Sequence, residues 1–212
     1  KYIAYGSFPD ARIDQDAEAP GGYSIAIGGF ATAGVNAADG YSTAVGVMSQ
    51  ATARAATALG YNAQANELSA VAVGSNSVAE AEGATAIGRR ANVAPAARGS
   101  VALGYESSAT AENVVSIGNA TSQRRLVNMA AGRTATDAVN VSQLQSTLDA
   151  IGGGARINAT TGAVIAPTFN VGGATRNTVG EALTNIDGRV NGLTDGTIGM
   201  VKQDATTRAI SV

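Results

Sequence analysis

Five acidic residues lie near the start of the chain: Asp10, Asp14, Asp16, Glu18 and Asp39. Paired carboxylates can act as acid and base in hydrolysis, and clustered ones can bind calcium. Here they fall in and near a Gly- and Pro-bearing segment, without EF-hand or nonapeptide calcium spacing, so a solvated face is expected. The chain contains no His and no Cys. That removes imidazole bases, thiol nucleophiles, disulfide frameworks and the usual zinc ligand sets. With 16 acidic and 14 basic residues the net charge is −2, which gives no electrostatic case for nucleic acid. The expectation is a protein that is not an enzyme, carries no cofactor and acts through its surface.

That surface must be set by repeated elements. The 212 residues include 27 Gly, six Tyr, three Phe and no Trp, yet 45% are apolar. Such a composition suits many thin layers better than one thick core. A pentad recurs along the first half: SIAIG at 24–28, STAVG at 42–46, ATALG at 56–60, AVAVG at 70–74, ATAIG at 84–88, SVALG at 100–104 and VVSIG at 114–118. The final glycines are spaced 18, 14, 14, 14, 16 and 14 residues apart, a 14-residue period with two short insertions. YIAYG at 2–6 is a candidate eighth copy, and 7–23 reads as a loop.

Residue size alternates within each pentad, as it does along a strand. Positions 1 and 3 are Ala or Ser except at Val114, and positions 2 and 4 are β-branched or Leu. A second small-residue rhythm follows each Gly, as in Ala63/Ala65 and Ser77/Ala79. Two five-residue strands plus turns make one coil of a flattened parallel β-roll, filled by the small residues of both strands. If Ala102 points inward, Val101 and Leu103 must point outward. Ile25, Ile27, Val45, Leu59, Val71, Val73, Ile87, Val101, Leu103, Val115 and Ile117 then form an apolar column too large for a soluble monomer. The expectation is an intersubunit core; the alternative is a monomeric solenoid with Ile and Val inside and Ala outside.

After Gly118 the period changes. Val141, Leu144, Leu148 and Ile151 follow coiled-coil spacing, with Asp137 or the preceding Thr136 as the expected helix cap and Gly152–Gly154 as the stop. Val179, Leu183, Ile186, Val190 and Leu193 give a second run, opened by a capping box of Thr178 and Glu181. Leu at a with Ile at d favours three or four strands over two, which adds Val141, Leu144, Leu148, Ile151, Leu183, Ile186 and Val190 to the expected interface. ATTGAVI at 159–165 and ATTRAIS at 205–211 read as tips of two hairpins.

These residues resemble the trimeric autotransporter adhesins, the YadA-like family. The pentads at 14-residue spacing are similar to its head repeats. RRLVNMAAGRTATDAVNVSQLQ at 124–145 resembles its neck, where DAVNVSQL beside VNMAAG is the more specific signature. The resemblance covers about 1–150; beyond it the chain is similar to the small β-plus-helix connectors of the family's stalks, although it lacks the Trp those connectors often carry. It implies a homotrimer with a left-handed parallel β-roll per subunit, on the outer surface of a Gram-negative bacterium, held by a C-terminal membrane anchor absent from this sequence. It implies binding to host extracellular matrix or cell-surface proteins, and autoaggregation. The expected division is a head at 1–120, a neck at 121–145, a short trimeric coiled coil at 146–154, a β-plus-helix connector at 155–194 and the start of another at 195–212. Arg124, Arg125, Arg133 and Asp137 are candidates for ion pairs between chains in the neck.

The expected ligand-facing rows are the outward positions of the second strand: Gln50, Asn62, Gln64, Asn76, Arg90, Asn92 and Glu106. Two other functions compete. Solenoid acyltransferases coil through hexapeptides and typically use a His, against the 14-residue repeat and absent His here. An ice-binding or purely structural solenoid would use a regular exposed Thr array, whereas Thr43, Thr57 and Thr85 fall on the face assigned to the subunit core.

Overall fold

The computed structural model describes residues 4–5, 16–198, 202–204 and 206–211. The chain divides into two compact units, Lys1–Arg125 and Leu126–Val212. In the first, short strands follow one another as β1 (Ala4–Tyr5), β2 (Ile25–Ile27), β3 (Thr32–Ala33), β4 (Thr43–Val45), β5 (Gln50–Ala51), β6 (Thr57–Leu59) and β7 (Gln64–Ala65). They continue as β8 (Val71–Val73), β9 (Val78–Ala79), β10 (Thr85–Ile87), β11 (Asn92–Val93), β12 (Val101–Leu103), β13 (Ser108–Ala109) and β14 (Val115–Ser116). The even-numbered strands and β1 line up in parallel as one wall; β3 to β13, odd numbers only, form the other. Successive partners on the first wall are Ala26, Ala44, Ala58, Ala72, Ala86 and Ala102, one coil apart each. The result is a parallel β-solenoid of about seven turns.

Its interior is almost entirely methyl-sized. Those six alanines and Ala33, Ala51, Ala65 and Ala79 of the opposite wall have no exposed surface. Among the described residues of this unit, Val93 is the one fully buried side chain larger than Ala or Ser. Ordinary stacked sheets lie ~10 Å apart with larger aliphatics between them, so an alanine filling requires closer walls. Little apolar area is buried per coil, and backbone hydrogen bonding between coils carries the architecture.

Even the corners are paired. Each coil turns twice, and each turn holds one residue in the left-handed region. Phe30, Met48, Asn62, Asn76, Arg90 and Glu106 follow the pentad glycines with φ of 51 to 61°. Tyr23, Tyr41, Ala55, Ser69, Gly83, Gly99 and Asn113 precede the pentads with φ of 56 to 67°. Their amides donate one coil back, as from Asn76 to the Tyr61 carbonyl at 2.8 Å and from Ser69 to that of Arg54 at 3.0 Å. Buried serines close the corners: Ser49, Ser77 and Ser107 donate to the carbonyls of Gly46, Gly74 and Gly104. These tight corners shorten the expected five-residue strands to three and two residues.

The segment expected as a loop at 7–23 is partly wall. Glu18 bridges Thr32 in parallel, and Ala17 and Ala19 on either side of it are buried. Residues 7–15, including Asp10 and Asp14, lie outside the described residues. At 2–6, Ala4 and Tyr5 pair with Ala26 and Ile27, in the register of a further pentad.

The second unit opens with a segment free of helix and strand, followed by α1 (Val141–Ile151). Its cap is Asn140, not Asp137 or Thr136: the Asn140 side chain accepts from the Gln143 amide at 3.2 Å, and Gln143 Oε1 accepts from the Asn140 amide at 3.3 Å. Asp137 instead closes a separate turn through the amides of Arg133 and Thr134. Gly152 ends the helix at φ +77°. The hairpin of β15 (Arg156–Ile157) and β16 (Val164–Ile165) follows, then that of β17 (Phe169–Val171) and β18 (Ala174–Arg176). Gly172 and Gly173 both have positive φ, as a two-residue hairpin turn demands.

Thr178 caps α2 (Val179–Thr194), accepting from the Glu181 amide at 3.1 Å. The Glu181 carboxylate does not complete the expected box; it accepts from the Asn177 amide, one residue earlier. The second hairpin packs against α2; Ala182 is buried, and Gly192 is covered by Thr197 and Ile198 after the helix. A last antiparallel pair, β19 (Lys202–Gln203) and β20 (Ile210–Ser211), frames Asp204, which receives the amides of Thr206 and Thr207. Asn158 does the same for Thr160 and Thr161 in the first hairpin.

Candidate functional site

The first wall turns its larger side chains away from the alanines. Exposure is 36% at Ile27, 46% at Leu59 and Leu103, and 69% at Val115, with Ile25 and Ile87 exposed alongside. Val45, Val71, Val73, Val101 and Ile117 are half-buried by their neighbours in the column. The strand period produces this: flanked by fully buried Ala102, Val101 and Leu103 have only the outer face left. In the second unit Val141, Leu144, Ile151, Leu183, Ile186 and Val190 are exposed on the single chain. Leu148 departs from them. It is 8% exposed, because α1 packs on β15 and its own chain covers it.

The polar residues do not form one strand row. Gln50, Gln64 and Asn92 lie on strands of the second wall. Asn62, Asn76, Arg90 and Glu106 occupy the left-handed corner position, because the strand ends before the turn that follows each pentad Gly. They form a ladder along the solenoid. Asn62 donates to Asn76 Oδ1 at 3.0 Å, and Arg90 pairs with Glu106 at 3.0 Å. The Tyr105 hydroxyl, then the Arg90 guanidinium, hold the Glu106 carboxyl below the usual carboxylate range. Glu106 in turn keeps the Arg90 guanidinium protonated further up the scale.

Aromatic corners were not foreseen. Arg89 lies over the Tyr105 ring at 5.4 Å, while Tyr23 and Tyr41 stack at 5.7 Å with Arg54 over Tyr41. The available signal was positional: Tyr61, Arg89 and Tyr105 each follow a pentad Gly directly.

At the end of the roll, Arg124 is engaged within its own chain. Its guanidinium donates to the carbonyls of Ile117 and Tyr105. The Tyr61 and Arg89 carbonyls, at the same corner position in other coils, accept from the next coil's amide. Arg124 therefore stands where a further coil would be, and Asn119 likewise donates to the Glu106 carbonyl at 2.8 Å. At the start of α1, the Gln143 side chain accepts from the Gly132 amide and donates to its carbonyl, both at 2.8 Å. Asn140 donates to Met129. The Arg133 amide, then the hydroxyl and amide of Thr134, donate to Asp137 and hold its carboxyl below the ordinary range. Among the described residues no ion pair within the chain involves Arg124, Arg125, Arg133 or Asp137; the pairs are Arg90–Glu106 and Arg98–Glu82.

Known proteins share these features. The family described as the YadA head domain repeat matches residues 40–63, 65–91 and 97–121. That described as the coiled stalk of trimeric autotransporter adhesin matches 125–166. A curated relative, the trimeric autotransporter adhesin AtaA of Acinetobacter sp. strain Tol 5, is 39% identical over 79 residues, covering 32% of this chain. The chain spans about 2% of that relative's length. The crystal structure of the collagen-binding domain of the Yersinia adhesin YadA is similar with a TM-score of 0.51 and 32% identity, over 70% of this chain and 97% of that one.

Proposed function

The chain belongs to the trimeric autotransporter adhesins of the YadA type, and from that premise we propose that it is the head, neck and first stalk connector of a homotrimeric surface fibre. One observation carries the reading: an aliphatic column runs the length of the first wall, over a core of alanines that cannot take it in. Each such side chain is worth ~1.5–3 kcal/mol when fully buried, an upper bound that partial burial lowers. Summed along three copies, that gain favours self-association. The proposed interface comprises Ile25, Ile27, Val45, Leu59, Val71, Val73, Ile87, Val101, Leu103, Val115 and Ile117 in the head. Val141, Leu144, Ile151, Leu183, Ile186 and Val190 continue it in the neck and connector. Arg125 and Arg133, exposed and without an acid partner among the described residues, are the remaining candidates for pairs across subunits.

The fibre stands on the outer surface of a Gram-negative bacterium, where its head binds host extracellular matrix or cell-surface protein and supports autoaggregation. The solved relative is titled a collagen-binding domain, which makes matrix protein the first ligand class to try. The proposed contact surface is the corner ladder of Asn62, Asn76, Arg90 and Glu106 with the strand positions Gln50, Gln64 and Asn92. Three copies of a weak contact act together through effective concentration. The test is adhesion of trimers to matrix-coated surfaces with all seven positions replaced by residues of altered charge or size. Adhesion should fall while the oligomeric mass stays constant; full adhesion by the replaced protein would refute the surface.

A further inference from the structure

A recess lies far along the sequence from those rows, between α2 and the hairpin that packs on it. It measures about 520 Å³ and is lined by Arg176, Glu181, Thr184, Asn185, Gly188 and Arg189. Three features of it lack a structural explanation. Among the described residues, neither the Arg176 nor the Arg189 guanidinium has a hydrogen bond or ion pair, although Arg176 is half-buried. Asn185 Oδ1 is buried with no partner, a state that ordinarily costs ~1–3 kcal/mol. Gly188 sits inside a helix, where Gly costs ~1 kcal/mol against Ala, yet a Cβ there would touch nothing within 4 Å. Packing does not require that glycine; an open floor for the recess does.

We infer that this recess binds an oxyanion, a carboxylate or sulfate, carried on a hydroxyl-bearing sugar ring. Two guanidiniums with free donors match an oxyanion in geometry and charge. Ring hydroxyls pair with Thr184 and the Glu181 carboxylate, which line the recess. A flat ring can lie over Gly188, where any other residue would project a side chain. The volume admits one or two sugar units and no folded partner. The inference does not depend on the head or its ligand, since every residue involved lies in 176–189.

The test is calorimetric titration of the intact 212-residue protein with glucuronic acid, a 6-sulfated N-acetylglucosamine, neutral glucose and inorganic sulfate. Binding of one or both acidic sugars, with glucose silent and sulfate weaker, is expected, and the two acidic arms identify which oxyanion is preferred. Arg176→Gln and Arg189→Gln should each weaken binding about tenfold. Gly188→Leu should abolish binding while raising helicity, so a folding defect cannot produce the loss. Arg54→Gln, in the other unit, should change nothing. Silence from both acidic sugars, equal binding of glucose, or affinity unaltered by Gly188→Leu and the double arginine replacement would each overturn the assignment. Sulfate binding as strongly as the sugars would reduce the site to an anion contact and overturn the ring.

Discussion

Gly74 has no room for a methyl group. A Cβ built on it would lie 2.6 Å from the carbonyl carbon and oxygen of Gly88 in the next coil, and its φ is +128°. The pentad glycines stack on one another, so each permits the backbone approach of the coil above. Gly74→Ala should destabilise the protein by about 2–4 kcal/mol, through backbone strain plus a displaced coil, read as a lower denaturation midpoint. Gly188→Ala should do the opposite, raising stability by up to about 1 kcal/mol, because its Cβ meets open space in a helix. A midpoint for Gly74→Ala equal to that of the parent would show the coils to be loosely stacked. The pentad glycines were evident from their period, but the other left-handed corners were not. Met48, Arg90 and Glu106 carry no turn signature; coil-to-coil amide bonds impose the conformation, and a single residue's propensity cannot reveal them.

At the scale of elements, the ends of the roll and of the helices decide what holds. A solenoid's last coil exposes carbonyls that the next coil would have taken, and Arg124 takes two of them. Arg124→Ala should remove roughly 1–3 kcal/mol of local stability. Faster amide exchange at 100–118, with 56–75 unchanged, is the expected reading; uniform exchange across the roll would refute a capping role. Asp137 orders the turn ahead of α1 by a different route. Its folded carboxyl titrates below the ordinary value, so its contribution is complete above that value and is lost as pH falls through the depressed one. The Arg133 and Thr134 amide resonances should therefore shift with a midpoint below the usual aspartate range, and Asp137→Asn should abolish the transition. A midpoint at or above the ordinary range would contradict the turn. Both helices were legible from their spacing, and so was Thr178 as the cap of α2, but the cap of α1 was not. Asn140 wins over Asp137 because Gln143 lies three residues after it and can return the bond. Leu148 fits the heptad by spacing, yet the strand folded back on α1 covers it, a tertiary event that periodicity does not encode.

At the scale of the whole molecule, the chain as a single copy leaves two surfaces of opposite character. One is the polar ladder, self-satisfied through Asn62–Asn76 and Arg90–Glu106; the other is the aliphatic column, left exposed or half-buried by the described residues of its own subunit. Leu103→Asp separates folding from assembly. The side chain is 46% exposed and points away from the Ala102 core, so an isolated coil tolerates a carboxylate there in full contact with water. In the proposed trimer the same carboxylate would enter a seam shared by three copies, each unpaired and desolvated, at a cost of several kcal/mol per chain. Val73→Asp makes the same test from mid-column, where the parent residue is half-buried. Sedimentation of both variants should give the mass of one chain, with the β signal of the roll retained, while the parent gives three. Asn76→Asp on the corner ladder should leave the trimer intact. Trimers of normal mass from both Leu103→Asp and Val73→Asp would place the seam elsewhere, and the aliphatic column would then need another occupant.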